Sequence, residues 1–257
     1  MHISGLKARF EEAVKISRDA SAFLLTHESL RRDIGSKAEN DYVTEADKEC
    51  ERLILSRIVQ AFPSDAILSE ESGGTDHGCR WIVDPIDGTV NFMSSFPDYT
   101  ISIAFQDEEG IAFGVVTVPR QGEEFTALRG EGAYLNGERI HVDEKIPLSQ
   151  SLALLVPPHR HKEYLKTYME GMERFYHIIS DVRSIGSAAL SLCYVASGRC
   201  SMYYEMALHI YDCAAGMIIL EEAGGKFTFL TPGDDSWIDI AASRASSHCL
   251  MLETINA

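Results

Sequence analysis

The sequence has no apolar run long enough to cross a bilayer. Nothing near its start has the basic, apolar, small-residue order of a secretory leader. A membrane-embedded protein is therefore not expected, and a cytoplasmic one is. The six cysteines (Cys50, Cys79, Cys193, Cys200, Cys213, Cys249) form no Cys-x-x-Cys pair, so they read as reduced thiols. Positive charge is scarce: 23 basic residues stand against 39 acidic ones, a net charge of −16. A surface that negative repels nucleic acid phosphates and argues against direct nucleic acid binding. It would also repel a phosphate substrate unless cations reversed the local field. There is no P-loop, no Gly-x-Ser-x-Gly elbow and no Ser–His–Asp order. The Gly130-Glu131-Gly132 string lacks the third glycine of a dinucleotide fingerprint. His159 and His161 have no neighbouring Cys or His to complete a zinc site and read as the basic start of a helix. No repeat or low-complexity tract is present.

What is present divides into two halves, 1–148 and 149–257. The first is α+β. Leu6, Phe10, Val14 and Leu24 predict an amphipathic helix over 6–25. A polar turn or short hairpin follows at 35–43. Thr44, with Asp47 three residues on, resembles a capping box opening a helix that Pro63 ends. Strands are expected at 66–69, 81–84, 99–105, 111–118 and 125–128, with an Asn136-Gly137 hairpin. The second half alternates strand and helix in an α/β order. Strands fall at 152–156, 178–179, 202–204 and 226–229, and helices at 162–175, 187–196 and 212–223.

The most informative stretch is Trp81-Ile82-Val83-Asp84-Pro85-Ile86-Asp87-Gly88-Thr89-Val90-Asn91-Phe92. Three apolar residues deliver Asp84 to the end of a buried strand, and Pro85, which has no N–H to donate, is expected to stop the strand there. Asp87 follows three residues later. Gly88-Thr89 then permits a tight turn or helix start whose free amides can face an anion. Two carboxylates held that close repel unless a cation lies between them, and hard divalent ions prefer oxygen ligands. An ordinary acidic turn is the alternative, since Asp-Pro and Asp-Gly are common turn formers. Other acids read two ways as well. Glu70 ends a strand but could be a solvated loop acid. Asp212 could be a plain N-cap or lean into a cleft.

The twelve-residue string resembles the central motif of the inositol monophosphatase superfamily, Trp-x-x-Asp-Pro-x-Asp-Gly-Thr-x-Asn-Phe. Leu68-Ser69-Glu70-Glu71-Ser72 resembles its Gly-Glu-Glu-Ser segment. Tyr211-Asp212-Cys213-Ala214-Ala215-Gly216 resembles its second motif, with Tyr211 where the family usually has tryptophan. The resemblance implies a layered αβαβα sandwich of the inositol monophosphatase/fructose-1,6-bisphosphatase type, usually a homodimer. It implies a lithium-sensitive phosphatase that uses two or three Mg²⁺ ions per active site on small phosphorylated metabolites. By the same resemblance Glu70, Asp84, the Ile86 carbonyl, Asp87 and Asp212 hold the metals. Asp47 and Thr89, with Glu70, serve catalysis by orienting a water. The Gly88 and Thr89 amides bind phosphate. Asp87, Gly186, Ser187, Ala188 and Glu205 meet the sugar or cyclitol, and Lys37 lies near the metals. Val90-Asn91-Phe92 resembles the inositol and fructose-bisphosphatase-like members rather than the 3′-phosphoadenosine ones, which more often carry Lys-Glu-Phe there; inositol-1-phosphate ranks first, with fructose-1,6-bisphosphate or a broad sugar-phosphate range second. The loop Val156-Pro157-Pro158-His159-Arg160-His161 has no match to the serine that inositol enzymes often place there. Some relatives attach to the transcription machinery, which leaves a regulatory role as an alternative from another class.

Overall fold

The structure is a computed structural model describing residues 3–38, 41–75, 78–158, 161–230 and 237–256. His159 and the Lys37 side chain lie outside the described residues. In chain order the helices among those residues are α1 (Ile3–Thr26), α2 (Glu45–Ala61), α3 (Thr89–Met93), α4 (Leu165–Tyr176), α5 (Ala188–Ala196), α6 (Ile210–Glu222) and α7 (His248–Asn256). A short hairpin, Ile34–Ala38 against Asp41–Thr44, precedes α2.

Five layers result, as expected. α1 and α2 cover one face of an eight-stranded sheet, and α5 and α6 cover its other face. A five-stranded sheet lies on the far side of α5 and α6, and α4 and α7 close the stack. Side chains alternate between the layers along each strand. Trp81, Val83, Ile103 and Phe105 pack with Ile16, Ile54 and Ile58 of the outer helices. Ile82, Ala104 and Val116 face inward onto Leu190, Leu192 and Ile218. In the second sheet Leu154 and Val156 join that inner cluster, whereas Ala153 and Leu155 meet Tyr168, Phe175 and Met251. Burial on both faces is why the motif strand is an unbroken apolar run. α6 approaches the large sheet so closely that a Cβ on Gly114 would stand 2.4 Å from the Ala215 carbonyl oxygen.

Four sequence expectations need correction. The motif strand does not stop at Pro85 but runs Arg80–Asp87, with an irregularity between Asp84 and Asp87 that absorbs the proline. The strand expected at 178–179 lies instead at Asp181–Arg183, parallel to Leu152–Val156. Ile179 is a buried apolar plug beneath the end of α4. Asp212 does not open its helix: α6 starts at Ile210, so Asp212 is its third residue. The second half is also not alternating throughout. Its last strands, Gly225–Phe229 and the unanticipated Ile238–Arg244, pair antiparallel.

Candidate metal centre and active site

Two strand irregularities build the site. On a regular strand Asp84 and Asp87 would point to opposite faces, because side chains alternate. The register pairs Asp84 with Ser102 but Asp87 with Thr100, so three steps on one strand match two on its neighbour. The extra residue turns both acids to the inner face and sends Ile86 to the outer core. The second irregularity lies between Glu205 and Leu208, where Ala207 takes a left-handed backbone (φ 61°). It redirects the chain into α6, which carries Asp212 inward.

Asp84, Asp87 and Asp212, all buried, each place a carboxylate oxygen within 4.8 Å of the other two. Glu70 follows the strand Ala66–Ser69, and its N–H donates to the Val83 carbonyl at 3.1 Å. That bond sets it beside Asp84. The Ile86 N–H donates to Asp84 Oδ1 at 3.0 Å, and the His209 N–H to Asp212 Oδ2 at 2.6 Å. Burial pushes the Asp84 carboxyl well above the usual range, and the charges of Glu70, Asp87 and Asp212 push it further. Burial likewise lifts Asp87 to about 7, with Asp212 adding to it, against three hydrogen bonds that favour the charged form. Such a donor set fits a hard divalent cation: it is all oxygen, converging, and electrostatically costly while uncompensated.

Asp47 lies under this cluster at the start of α2. Its Oδ2 accepts from the Thr44 N–H (2.7 Å) and the Thr44 hydroxyl (2.5 Å), a capping box. Its Oδ1 faces the Thr89 hydroxyl at 3.1 Å. Burial raises it to about 6, and the Glu70 charge contributes. Structural cap and site residue are thus one carboxylate. Gly88 has φ 96°, and a Cβ there would meet the carbonyl oxygens of Gly186 (3.1 Å) and Asp98 (3.2 Å), so the turn into α3 needs glycine.

From the second half, the start of α5 points at Asp87. Asp87 Oδ2 accepts from the Ser187 hydroxyl (2.5 Å) and the Ala189 N–H (2.8 Å), and Oδ1 from the Ala188 N–H (3.2 Å). The Ser187 hydroxyl also accepts from the Leu190 N–H, so it supports Asp87 and caps α5. A cavity of about 430 Å³ opens over the acids. Its walls include Glu70, Asp84, Asp87, Asp212, Gly88, Thr89, Gly186, Ala188, Glu205 and Lys162. The Glu205 carboxylate accepts from the Tyr203 hydroxyl at 2.6 Å. The site residues expected from the sequence therefore line this cavity, except that buried Asp47 and Ser187 lie behind it, bonded to Thr89 and Asp87.

Asn91, in the sequence a mark of substrate class only, donates from Nδ2 to the Asp98 carbonyl (2.7 Å) and the Ile185 carbonyl (2.6 Å). It ties the motif turn to the loop before α5. Its place inside the motif was the available signal. Lys162 also borders the cavity, a place that a lone lysine after a proline-rich loop does not announce in the sequence.

A profile of the inositol monophosphatase family matches residues 6–255. The Nus factor SuhB of Haemophilus influenzae is 40% identical over 218 residues, covering 83% of this chain and 82% of that protein. Inositol monophosphatase 2 of Rattus norvegicus is 37% identical over 225 residues, covering 84% of this chain and 78% of that one. The crystal structure of extragenic suppressor protein suhB from Bartonella henselae superposes with a TM-score of 0.89 at 31% identity, covering 96% of this chain and 98% of that one. With the match running almost end to end over the layered fold and its acidic pocket, the chain belongs to the inositol monophosphatase family.

Proposed function

We propose that this chain is a Mg²⁺-dependent phosphatase that hydrolyses small phosphate monoesters, inositol-1-phosphate foremost. The observation that carries the reading is the meeting of Asp84, Asp87 and Asp212 within 4.8 Å, buried, at the floor of a cavity. Glu70, Asp84, the Ile86 carbonyl, Asp87 and Asp212 would hold the ions. Bound there, Mg²⁺ supplies positive charge to the phosphoryl oxygens. Thr89 orients the attacking water and Asp47 Oδ1 takes the proton through the Thr89 hydroxyl. The Gly88 and Thr89 amides hold the phosphate, and Ala188 and Glu205 face the hydroxyls of the leaving alcohol. Fructose-1,6-bisphosphate is the alternative substrate, and a cytoplasmic homodimer is the proposed form.

A phosphatase screen across small phosphorylated metabolites, with and without Mg²⁺ and with lithium, tests this. Release of phosphate only with Mg²⁺, lost on lithium addition, is expected. No turnover on any monoester would overturn it. A second reading, a regulatory protein binding the transcription machinery, draws on the identity to the relative named Nus factor. Equal co-purification of RNA polymerase with wild type and Asp84→Asn would favour it.

A further inference from the structure

Glu51 is an acid that neither the motif nor the cavity accounts for. It lies on α2, one turn after Asp47, and is only 3% exposed. Burying a carboxylate is costly unless its oxygens are hydrogen-bonded. Here both are: Oε2 accepts from the Glu71 N–H at 2.9 Å, and Oε1 accepts from the Ser72 hydroxyl. Both donors belong to the turn that immediately follows Glu70.

On its far side the turn is held by the sheet, where Gly73–Gly74 pairs antiparallel with Leu68–Ser69 and the Thr75 N–H donates to the Ile67 carbonyl at 3.1 Å; on its near side it is held by Glu51. Ser72, Gly73 and Gly74 are exposed, and the two glycines have φ of 69° and 134°. Such positive φ values suit glycine and let the chain reverse directly after Ser72. The Glu70 N–H is fixed on one side by the Val83 carbonyl, and the next N–H in the chain is fixed on the other by Glu51. Glu70 is therefore bracketed between the motif strand and α2, and its carboxyl reaches a hydrogen bond with Asp84. The same helix supplies Asp47, and Cys50 between them lends its thiol to the Pro85 carbonyl at 3.6 Å. One face of α2 thus supports three consecutive pieces of the site.

We propose that Glu51 is a positioning residue for Glu70: by clamping the Glu71–Ser72 turn it sets the affinity of the Glu70 side of the site for divalent cations. The inference rests on the reading of Glu70 as a metal-holding residue. Partners behind a metal ligand typically change affinity by about 10–100-fold when removed.

The test is calorimetric titration of chelator-treated protein with Mg²⁺ and Mn²⁺ on wild type, Glu51→Ala, Glu51→Gln, Glu70→Ala and the Glu51→Ala/Glu70→Ala double variant. Glu51→Ala should weaken cation binding by about tenfold or more. In the Glu70→Ala background the same change should weaken it by less than about twofold, because a residue that acts through Glu70 has nothing left to position. Thermal midpoints, which a purely structural role would move equally in both backgrounds, are read alongside. Glu51→Gln keeps the shape and one acceptor, and is expected to give an intermediate loss. It carries the test, with its own Glu70→Ala double, if the alanine variant does not fold. Equal losses in the two backgrounds, or wild-type binding in both Glu51 variants while Glu70→Ala is impaired, overturn the clamp alone. Wild type taking up no divalent cation, or Glu70→Ala binding like wild type, overturns the reading of Glu70 and the clamp with it.

Discussion

The Thr89 hydroxyl lies 3.1 Å from Asp47 Oδ1, across 42 residues of sequence, and also 3.1 Å from the Ile86 carbonyl oxygen. One hydroxyl hydrogen cannot serve both acceptors well at once. Rotation between them would let Thr89 either hold the motif turn or pass a proton to Asp47, whose other oxygen is already saturated by Thr44. Thr89→Ala should therefore lower kcat by about 10²–10⁴-fold, the range for loss of a positioned proton-transfer group. Thr89→Ser, which keeps the hydroxyl, should recover most of it. Steady-state kinetics on inositol-1-phosphate at saturating Mg²⁺ measures both. An unimpaired alanine variant would remove Thr89 from the proposed proton route.

Asp47 and Asp87 are raised to about 6 and about 7 from 3.8, in both cases mainly by burial, and Asp84 is raised as well. A carboxyl whose folded pKa exceeds its unfolded value favours the folded state while protonated, and that stability is lost as pH rises through the folded pKa. At about 1.4 kcal/mol per pKa unit, two such groups remove several kcal/mol between roughly pH 4 and pH 8. Surface acids such as Asp107, held low by Arg129 despite partial burial, act in the opposite sense only at more acid pH. Chelator-treated protein should therefore lose thermal stability from pH 5 to pH 8. Added Mg²⁺ should restore more stability at pH 8 than at pH 5. A melting temperature of the stripped protein that climbs over this range would contradict the electrostatic account of the pocket.

Much of this site is legible in the sequence because its acids cluster in short strings with distinct chemistry. Asp84 and Asp87 bracket a proline, and Glu70 ends a strand. What the sequence could not show is how alternation is broken. Pro85 marks a break in the ladder, but the string does not say whether the strand ends there or bulges and runs on, because that is set by the register against the neighbouring strand. The strand Ile238–Arg244 escaped for a related reason. Ile240 and Ala242 face one core and Ala241 another, so no two-residue period appears. The Asp181–Arg183 strand is three residues of an edge, bounded by charge, with no apolar signal of its own. The resemblance places Ser187 against the substrate, whereas a Gly-Ser helix start by itself reads as a plain cap. Only the fold reveals that Asp87 already receives the Ser187 hydroxyl proton.

Asn91 ties the motif turn to the loop before α5 by donating to the Asp98 and Ile185 carbonyls. Asn91→Ala leaves both acceptors without that partner, and the loss should cost about 1–3 kcal/mol in urea unfolding. The Gly186 loop it holds forms part of the cavity wall proposed to receive substrate, so KM should rise several-fold more than kcat falls. A variant with altered stability but an unchanged KM would confine Asn91 to the scaffold.

Asp84 separates stability from activity most sharply. It is fully buried among Glu70, Asp87 and Asp212, whose charges all act against its ionisation. Asparagine at this position keeps an oxygen for the Ile86 N–H and brings an amide that donates to the surrounding carboxylates. The metal-free Asp84→Asn protein should therefore melt higher than metal-free wild type at pH 8, by about 2–4 °C for each kcal/mol of repulsion removed. Its turnover with Mg²⁺ should nevertheless fall by roughly 10³-fold or more, since several kcal/mol of transition-state stabilisation depend on holding the ions. Paired melting curves with and without chelator, together with rates on the same preparations, decide the matter. If the variant melts lower than stripped wild type, the acids are not in electrostatic conflict. If it turns over normally, they do not hold the catalytic ions.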